Sequence, residues 1–183
     1  GAINAGVPVG VYWFSYATSI LDAQKEAEIC KTVIAPYKDK ITWPVFFDFE
    51  YDSVRWCRQN GVNPGAQLVT DMALTFLQSM QSAGYKVGNY ANLDYCRNWF
   101  QMERLQDYPM WFAQYDVNSP SISCALWQFG GTSVAGCRGS IDTDLADRDL
   151  GNHAATVSVQ PSSSEIKKVG VRYRVRTRES GWL

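Results

Sequence analysis

Residues 43–51, Trp-Pro-Val-Phe-Phe-Asp-Phe-Glu-Tyr, form an apolar run that closes on two carboxylates, Asp48 and Glu50. A run of this kind is typical of a strand buried on both faces of a parallel sheet. Side chains two positions apart on a strand share a face, and substrate sites form at the C-terminal ends of parallel strands. We therefore expect Asp48 and Glu50 to point together into a cleft walled by aromatic side chains.

Two carboxyl groups in one cleft suit the cleavage of a glycosidic bond. One carboxyl gives a proton to the leaving oxygen, while the other, ionised, stabilises or captures the positive charge that develops on the sugar. The 7 Trp and 10 Tyr also favour carbohydrate, because the C–H face of a sugar packs on aromatic rings, although aromatic residues more often fill cores. The alternative is that Asp48 and Glu50 merely cap a strand in a structural domain.

Composition excludes several other classes of function. An apolar fraction of 46% over 183 residues suffices for the core of one globular domain. A formal net charge of -1 offers no footprint for nucleic acid or an anionic membrane. The sequence contains no run of about 18 apolar residues, the length that a membrane-spanning helix needs. Its opening residues lack the pattern of a signal peptide. The oligomeric state is left open.

The cysteines and the single histidine do not predict a metal site. The five cysteines contain no C-x-x-C pair and are interpreted as scattered buried thiols; they are Cys30, Cys57, Cys96, Cys124 and Cys137. Cys124 and Cys137 could pair in an oxidising compartment. His153 alone supports neither a three-histidine site nor a Ser-His-Asp triad. We expect no metal and no organic cofactor.

Strands and helices alternate along the first part of the chain. The predicted strands are residues 7–16, 43–50, 85–90, 110–115, 125–129 and 139–142, and the predicted helices are 19–35, 64–83 and 92–100. Ser19 is the expected N-cap of the first helix, which Pro36 ends. Alternation followed by strands with few helices predicts an α/β fold with a parallel, barrel-like sheet.

Composition changes after about residue 151. Residues 152–168 are Ser-rich, contain Pro161 and are interpreted as a linker. Residues 169–183 begin with alternating apolar and basic side chains, typical of an edge strand that opens a β-rich module. A solvated face explains the basic residues most simply, and contact with anionic wall polymers is the alternative.

Five segments resemble, in the same order, the glycoside hydrolase family 25 lysozymes, the N-acetylmuramidases of bacteria and their phages. They are residues 6–17, 44–50, 84–92, 110–115 and 126–142, within an agreement that covers roughly residues 3–150. The resemblance implies a domain at 1–151 with an incomplete TIM-like (β/α) barrel of mostly parallel strands. The family begins with an Asp-bearing strand, a helix and a second strand. Nothing here matches them, so we expect a chain truncated at its N-terminus and cut at the start of a C-terminal module.

The resemblance also implies which residues form the site. Glu50 corresponds to the proton donor, Asp48 to its neighbour, and Asp142 to the carboxylate of the last strand, with Asp144 the position confused with it if the register slips. The implied sugar groove is lined by Tyr12, Tyr90, Trp111, Tyr115, Trp127 and Gln128. Core packing is the alternative for each ring, and it is favoured for Trp13 and Phe47, which alternation turns away from the groove.

The implied activity is hydrolysis of the β-1,4 bond between N-acetylmuramic acid and N-acetylglucosamine in bacterial cell-wall peptidoglycan. It would act outside the cytoplasm, after secretion or phage-driven release. Two alternatives stay open: a non-catalytic peptidoglycan-binding fragment, and a hydrolase of another polysaccharide such as chitin. The partner of Glu50 also stays open between a base acting on water, an electrostatic stabiliser and the acetamido group of the substrate.

Overall fold

The computed structural model describes residues 1–152. Six strands form one sheet in the order β1-β2-β3-β4-β5-β6, so that every strand lies beside its neighbours in sequence. Their bounds are β1 Val9–Phe14, β2 Ile41–Asp48, β3 Val87–Asn92, β4 Met110–Ala113, β5 Leu126–Ser133 and β6 Ser140–Ala146. β1 to β5 pair in parallel, and β6 pairs antiparallel to β5. The predicted α/β architecture, an incomplete barrel with mostly parallel strands, is confirmed.

Three α-helices cover the outer face of the sheet and its ends: α1 Ile20–Ile34, α2 Tyr51–Gln59 and α3 Ala66–Ser82. α1 begins as predicted, because Ser19 has extended backbone and its Oγ accepts a hydrogen bond from the Asp22 amide at 3.1 Å. It ends at Ile34, two residues before Pro36. Shorter helical turns lie at Ile3–Ala5, Ala35–Lys40, Tyr95–Trp99, Met102–Arg104 and Leu150–Asn152.

The outer face of the sheet carries the main core. Side chains of β2 and β4, among them Val45, Phe47 and Phe112, pack there against α1 and α3, which contributes Phe76; each of these four is 0% exposed. Trp13 belongs to this side, since its ring stacks on Phe76 with centroids 6.4 Å apart. The core assignment of Trp13 and Phe47 is therefore confirmed, and it follows from strand alternation.

The inner face carries a second, aromatic cluster. Rings of β1, β2 and β3 meet the Trp111 ring of β4, with centroid distances of 6.2 Å to Tyr12, 5.2 Å to Phe46 and 4.9 Å to Tyr90. Tyr12 reaches Trp111 past two intervening strands, which requires the sheet to curl into a half-barrel. Gly88 makes room for this packing, because a Cβ there would lie 2.5 Å from Cε1 of Phe46.

Several predicted boundaries were wrong. β2 ends at Asp48 instead of Glu50, and the helix α2 that follows was not predicted. The segment predicted as a helix at 92–100 forms a π-helical turn at Tyr95–Trp99. β5 and β6 are longer than predicted because they pair as a hairpin, from Leu126 opposite Ala146 to Ser133 opposite Ser140.

The remaining predictions from the sequence concern the cysteines, the membrane spans and the residues after about 151. All five cysteines are free, so Cys124 and Cys137 are not joined. Burial raises the pKa of the Cys30 and Cys124 thiols to about 12, as expected for unreactive buried thiols. None of the helices within residues 1–152 has the length and apolar character that a membrane crossing requires. His153, the β segment at 169–183 and the predicted linker, apart from Asn152, lie outside the described residues.

Candidate active site

Asp48 is placed by strand pairing. It is the last residue of β2 and lies in register with Phe14, the last residue of β1. Its carbonyl oxygen accepts a hydrogen bond from the Ser15 amide at 2.8 Å, which extends the pairing one residue past β1. Only 2% of Asp48 is exposed, so its carboxylate is buried on the inner side of the sheet and does not lie at the surface.

Glu50 reaches the same face by another route. It lies outside β2, as the N-cap of α2, with extended backbone (φ -129°, ψ -172°). Because that conformation continues the alternation of β2, Glu50 stays on the side of Asp48. Its amide donates to Ser53 Oγ at 3.0 Å. Glu50 therefore caps the helix α2, where the alternative had it capping a strand, and it also lines a cleft.

The cleft opens at the C-terminal end of the parallel strands and has a volume of about 640 Å³. That volume lies within the usual range for small-ligand sites. All three predicted carboxylates, Asp48, Glu50 and Asp142, line it. The other lining residues are Tyr12, Phe14, Gly136, Cys137, Arg138, Ser140 and Ile141. Strands β1 and β2 form one wall, and the β5–β6 hairpin forms the other.

The two aspartates of β6 have separate environments. Asp142 lines the cleft, whereas Asp144 is 7% exposed and accepts a hydrogen bond from the Trp111 indole nitrogen at 2.7 Å. Residues two apart share the inner face, so strand alternation alone does not separate them, and the choice of Asp142 over Asp144 came from the family resemblance. In the structure they differ in depth, because Asp142 lies at the cleft and Asp144 is buried against Trp111.

Three predicted groove residues form a layer beneath the cleft. Tyr90, Trp111 and Gln128 are each at most 5% exposed and lie on the inner face. Oε1 of Gln128 accepts hydrogen bonds from the hydroxyls of Tyr90 at 3.1 Å and Tyr115 at 2.5 Å. Tyr115 itself is 48% exposed. This layer supports the shape of the cleft, and only Tyr12 among the predicted rings lines the cleft directly.

Trp127 is not brought to the cleft. Its ring packs with the outer core and lies 5.2 Å from the Phe129 ring. Its indole nitrogen donates to the Gln114 carbonyl at 2.9 Å. Since Gln128 faces inward, its neighbour on the strand must face outward.

Sequence reasoning missed Phe14 and the hairpin residues of the cleft, including Arg138 and Ser140. Phe14 could have been found, because it lies two residues after Tyr12 on the same strand. The hairpin residues carry no such signal, since they reach the cleft only when the sheet curls. No cluster of three or more His, Cys, Asp or Glu side chains within residues 1–152 is suited to hold a metal ion.

A group of polar rings lies beside the start of α2. The Tyr51 hydroxyl donates to Asp94 Oδ2 at 2.9 Å, and the Tyr51 and Tyr95 rings meet edge to face at 5.1 Å. Hydrogen bonds from Asn98 and Tyr51 lower the pKa of Asp94, so this carboxylate stays ionised. Burial raises the pKa of Tyr95, so its hydroxyl stays protonated. These contacts join Tyr51, which follows Glu50 in the chain, to the turn at Tyr95–Trp99.

Comparisons with known proteins give one family and several solved structures of similar fold. A family model described as "Glycosyl hydrolases family 25" matches residues 1–136. Among solved structures, the CTP1L endolysin has a TM-score of 0.64 and 23% identity, over 80% of this chain and 50% of that chain. GHIP, a glycosyl hydrolase 25 of Streptococcus pneumoniae, has a TM-score of 0.60 and 17% identity, over 81% and 63%.

The modular autolysin LytC from Streptococcus pneumoniae, solved in complex with a synthetic peptidoglycan ligand, is also similar. Its TM-score is 0.65 and its identity 19%, over 78% of this chain and 35% of that chain. The chain therefore spans about a third to just under two thirds of the length of these three proteins. At these sequence identities, the similarity to the three structures shows a shared fold and nothing more. A comparison with curated protein sequences gives no match.

Proposed function

This chain belongs to glycosyl hydrolases family 25, and from that premise we propose that it is a peptidoglycan hydrolase. It cleaves the β-1,4 bond between N-acetylmuramic acid and N-acetylglucosamine and acts at the cell wall, after secretion or phage-driven release. The observation that carries the proposal is the meeting of Asp48, Glu50 and Asp142 in one cleft of about 640 Å³. The peptidoglycan ligand of the similar LytC structure supports the substrate class.

Glu50 is the proposed proton donor. It is half-buried at the cleft, where it can reach a glycosidic oxygen without leaving the end of α2. The ionised partner is one of the two aspartates that share the cleft, Asp48 beside it and Asp142 on the opposite wall. A carboxylate there stabilises the positive charge that develops on the sugar or activates water. The acetamido group of the substrate is the third partner that fits this arrangement.

The walls and the layer below them would hold the saccharide. Tyr12 and Phe14 offer ring faces at the cleft, on which the C–H face of a sugar packs. Tyr115 exposes half of its surface near the rim. Tyr90, Trp111 and Gln128 contribute by fixing the layer beneath, and Trp127, in the outer core, has no part in holding the saccharide.

The test replaces Glu50 with Gln, which keeps the shape of the side chain and removes the proton that it donates. Lysis of purified cell walls by the full chain, followed as a fall in turbidity, should slow by about a hundredfold or more, the range for loss of a general acid. Glu28→Gln, on the exposed side of α1, is the matched control and should lyse walls normally. Circular dichroism should be the same for all three proteins.

Near-normal lysis by Glu50→Gln would contradict the assignment of the proton donor. Analysis of new reducing ends identifies the bond, since muramic acid ends indicate a muramidase and glucosamine ends from chitin indicate another polysaccharide hydrolase. Binding to sedimented peptidoglycan without clearing by the unmodified chain would favour the non-catalytic alternative.

A further inference from the structure

The proposed reaction does not use Glu26, a half-buried carboxylate on α1. Its Oε2 accepts a hydrogen bond from the Ser15 hydroxyl at 2.6 Å, and its Oε1 accepts one from the Tyr16 amide at 2.8 Å. Hydrogen bonds to an ionised carboxylate are shorter and stronger than neutral ones. Glu26 therefore holds the segment that directly follows β1, with a different oxygen for each donor.

That segment, residues 15–17, continues β1 and contacts both the end of β2 and the helix α2. Ser15 is 0% exposed, and its amide donates to the carbonyl oxygen of Asp48 at 2.8 Å. The Ser15 hydroxyl oxygen also accepts from the Ala17 amide at 3.2 Å. The Cys57 thiol of α2 donates to the Ala17 carbonyl at 3.4 Å. Glu26 is thus linked through this segment to the end of β2 and to α2, whose N-cap is Glu50.

The same segment shapes one wall of the cleft. Phe14, which precedes Ser15, lines the cleft and pairs in register with Asp48. The Tyr16 ring packs against the Phe14 ring with centroids 5.2 Å apart. Catalytic groups must be held within about 0.5 Å of their productive position, so small movements of this segment matter for the reaction.

We propose that Glu26 is a positioning residue, whose carboxylate, through Ser15 and Tyr16, fixes the end of β2 that carries Asp48 and the cleft wall beside it. The inference rests on the proposed function for its catalytic consequence, but the contact it describes is testable without activity. Glu26 is not among the residues that line the cleft, and its side chain accepts its hydrogen bonds from Ser15 and Tyr16, in the segment behind the wall.

The test compares Glu26→Met with Glu26→Gln in the full chain, with Glu28→Met on the exposed side of the same helix as control. Methionine keeps the length of the side chain but accepts hydrogen bonds poorly, so the Ser15 hydroxyl and the Tyr16 amide lose their acceptor. Glutamine retains an oxygen for Tyr16 and an amide group for Ser15. Two quantities are measured below the melting temperature: exchange of the Ser15 amide hydrogen by NMR, and kcat and KM for peptidoglycan fragments.

In Glu26→Met, the Ser15 amide should exchange about tenfold faster, because a buried group that loses its partner costs enough free energy to open the segment. Its kcat should fall about tenfold with little change in KM, and Glu26→Gln should restore both values to near those of the unmodified chain. The Ser15 amide bonds to Asp48 and not to Glu26, so its faster exchange reports the coupling directly.

Unchanged protection of the Ser15 amide in folded Glu26→Met would overturn the proposal, as would a glutamine variant as impaired as the methionine variant. Should Glu26→Met not fold, Ser15→Ala removes only the hydroxyl; normal exchange of the amide at position 15 together with normal kcat would then overturn it. Absence of hydrolysis by the unmodified chain would contradict the proposed function alone, because the exchange measurement still decides whether Glu26 fixes the end of β2.

Discussion

Asp48 and Glu50 line the same cleft, although different structural features fix their positions. Asp48 is set by the register of β2 against β1, and Glu50 by the first turn of α2. Alternation along a strand predicted the side of the sheet for Trp13 and Phe47 correctly. It also conflicts with a groove that contains both Trp127 and Gln128, because adjacent strand residues face opposite sides. The position of Trp127 was taken from the family resemblance, and here local geometry was the better guide.

Glu26 should make the stability of the chain depend on pH. Burial raises the pKa of its carboxyl above the ordinary value of 4.5, outweighing the hydrogen bonds from Ser15 and Tyr16 that lower it, and the charge of Asp22 raises it further. The thiols that face it are Cys30 and Cys57. Above pH 4.5 the unfolded chain releases this proton first, so the folded state binds more protons and the free energy of unfolding falls as pH rises through the folded-state pKa.

Urea denaturation between pH 4 and pH 8 checks this expectation. Glu26→Gln cannot titrate, so its free energy of unfolding should rise relative to the unmodified chain as pH increases above about 4.5 and level off above the folded-state pKa. Glu28→Gln should show no such relative rise. A constant difference between Glu26→Gln and the unmodified chain over the whole range would be inconsistent with the raised pKa.

At the scale of elements, long amphipathic segments were predictable and short ones were not. α1 and α3 have buried residues at helical spacing over 15 and 17 residues, and α1 has a recognisable N-cap in Ser19. α2 has only nine residues, of which Ser53, Val54 and Cys57 are buried, so its apolar stripe is too short to stand out. β6 was underestimated because its length depends on pairing with β5, which the residues of β6 alone do not specify.

The start of α2 should matter for activity as well as for stability. Ser53→Ala removes the acceptor of the Glu50 amide and should lower the free energy of unfolding by about 1–2 kcal/mol. Because Glu50 loses this anchor, kcat should fall about tenfold. Ser19→Ala removes the N-cap of α1 and should cost a similar 0.5–2 kcal/mol, roughly, with kcat unchanged. Urea denaturation and cell-wall lysis give the two quantities; equal kcat in both variants would argue against the anchoring of Glu50.

At the scale of the whole molecule, the two faces of the curled sheet carry two different clusters of buried side chains. The outer face packs aliphatic and aromatic side chains against α1 and α3, with members such as Phe47 and Phe76 fully buried. The inner face packs Tyr12, Phe46, Tyr90 and Trp111 beneath the cleft. Leu150, 1% exposed, joins the inner cluster together with Trp43. We infer that the outer core supplies most of the stability and the inner cluster maintains the shape of the site.

Phe76 offers the direct test of the outer core. It is 0% exposed and contacts the rings of Trp13 and Phe47, so Phe76→Ala should lower the free energy of unfolding by about 3–5 kcal/mol. Leu21→Ala lies on the outside of α1, where the residue is 59% exposed, and should change it by less than about 0.5 kcal/mol. Equilibrium urea denaturation measures both; a small effect at Phe76 would mean that the helices contribute little to the core.

The sequence by itself determined the alternation of strands and helices, the N-cap of α1, and the side of the sheet for residues such as Trp13 and Phe47. These features depend on neighbours within a few positions, whose relative directions follow from backbone geometry. Only the tertiary structure decided that Asp142 lines the cleft while Asp144 binds Trp111, that the β5–β6 hairpin forms the second wall, and that Glu26 bonds to Ser15 and Tyr16. Those contacts join segments far apart in the chain, and their distances depend on how strongly the whole sheet curls.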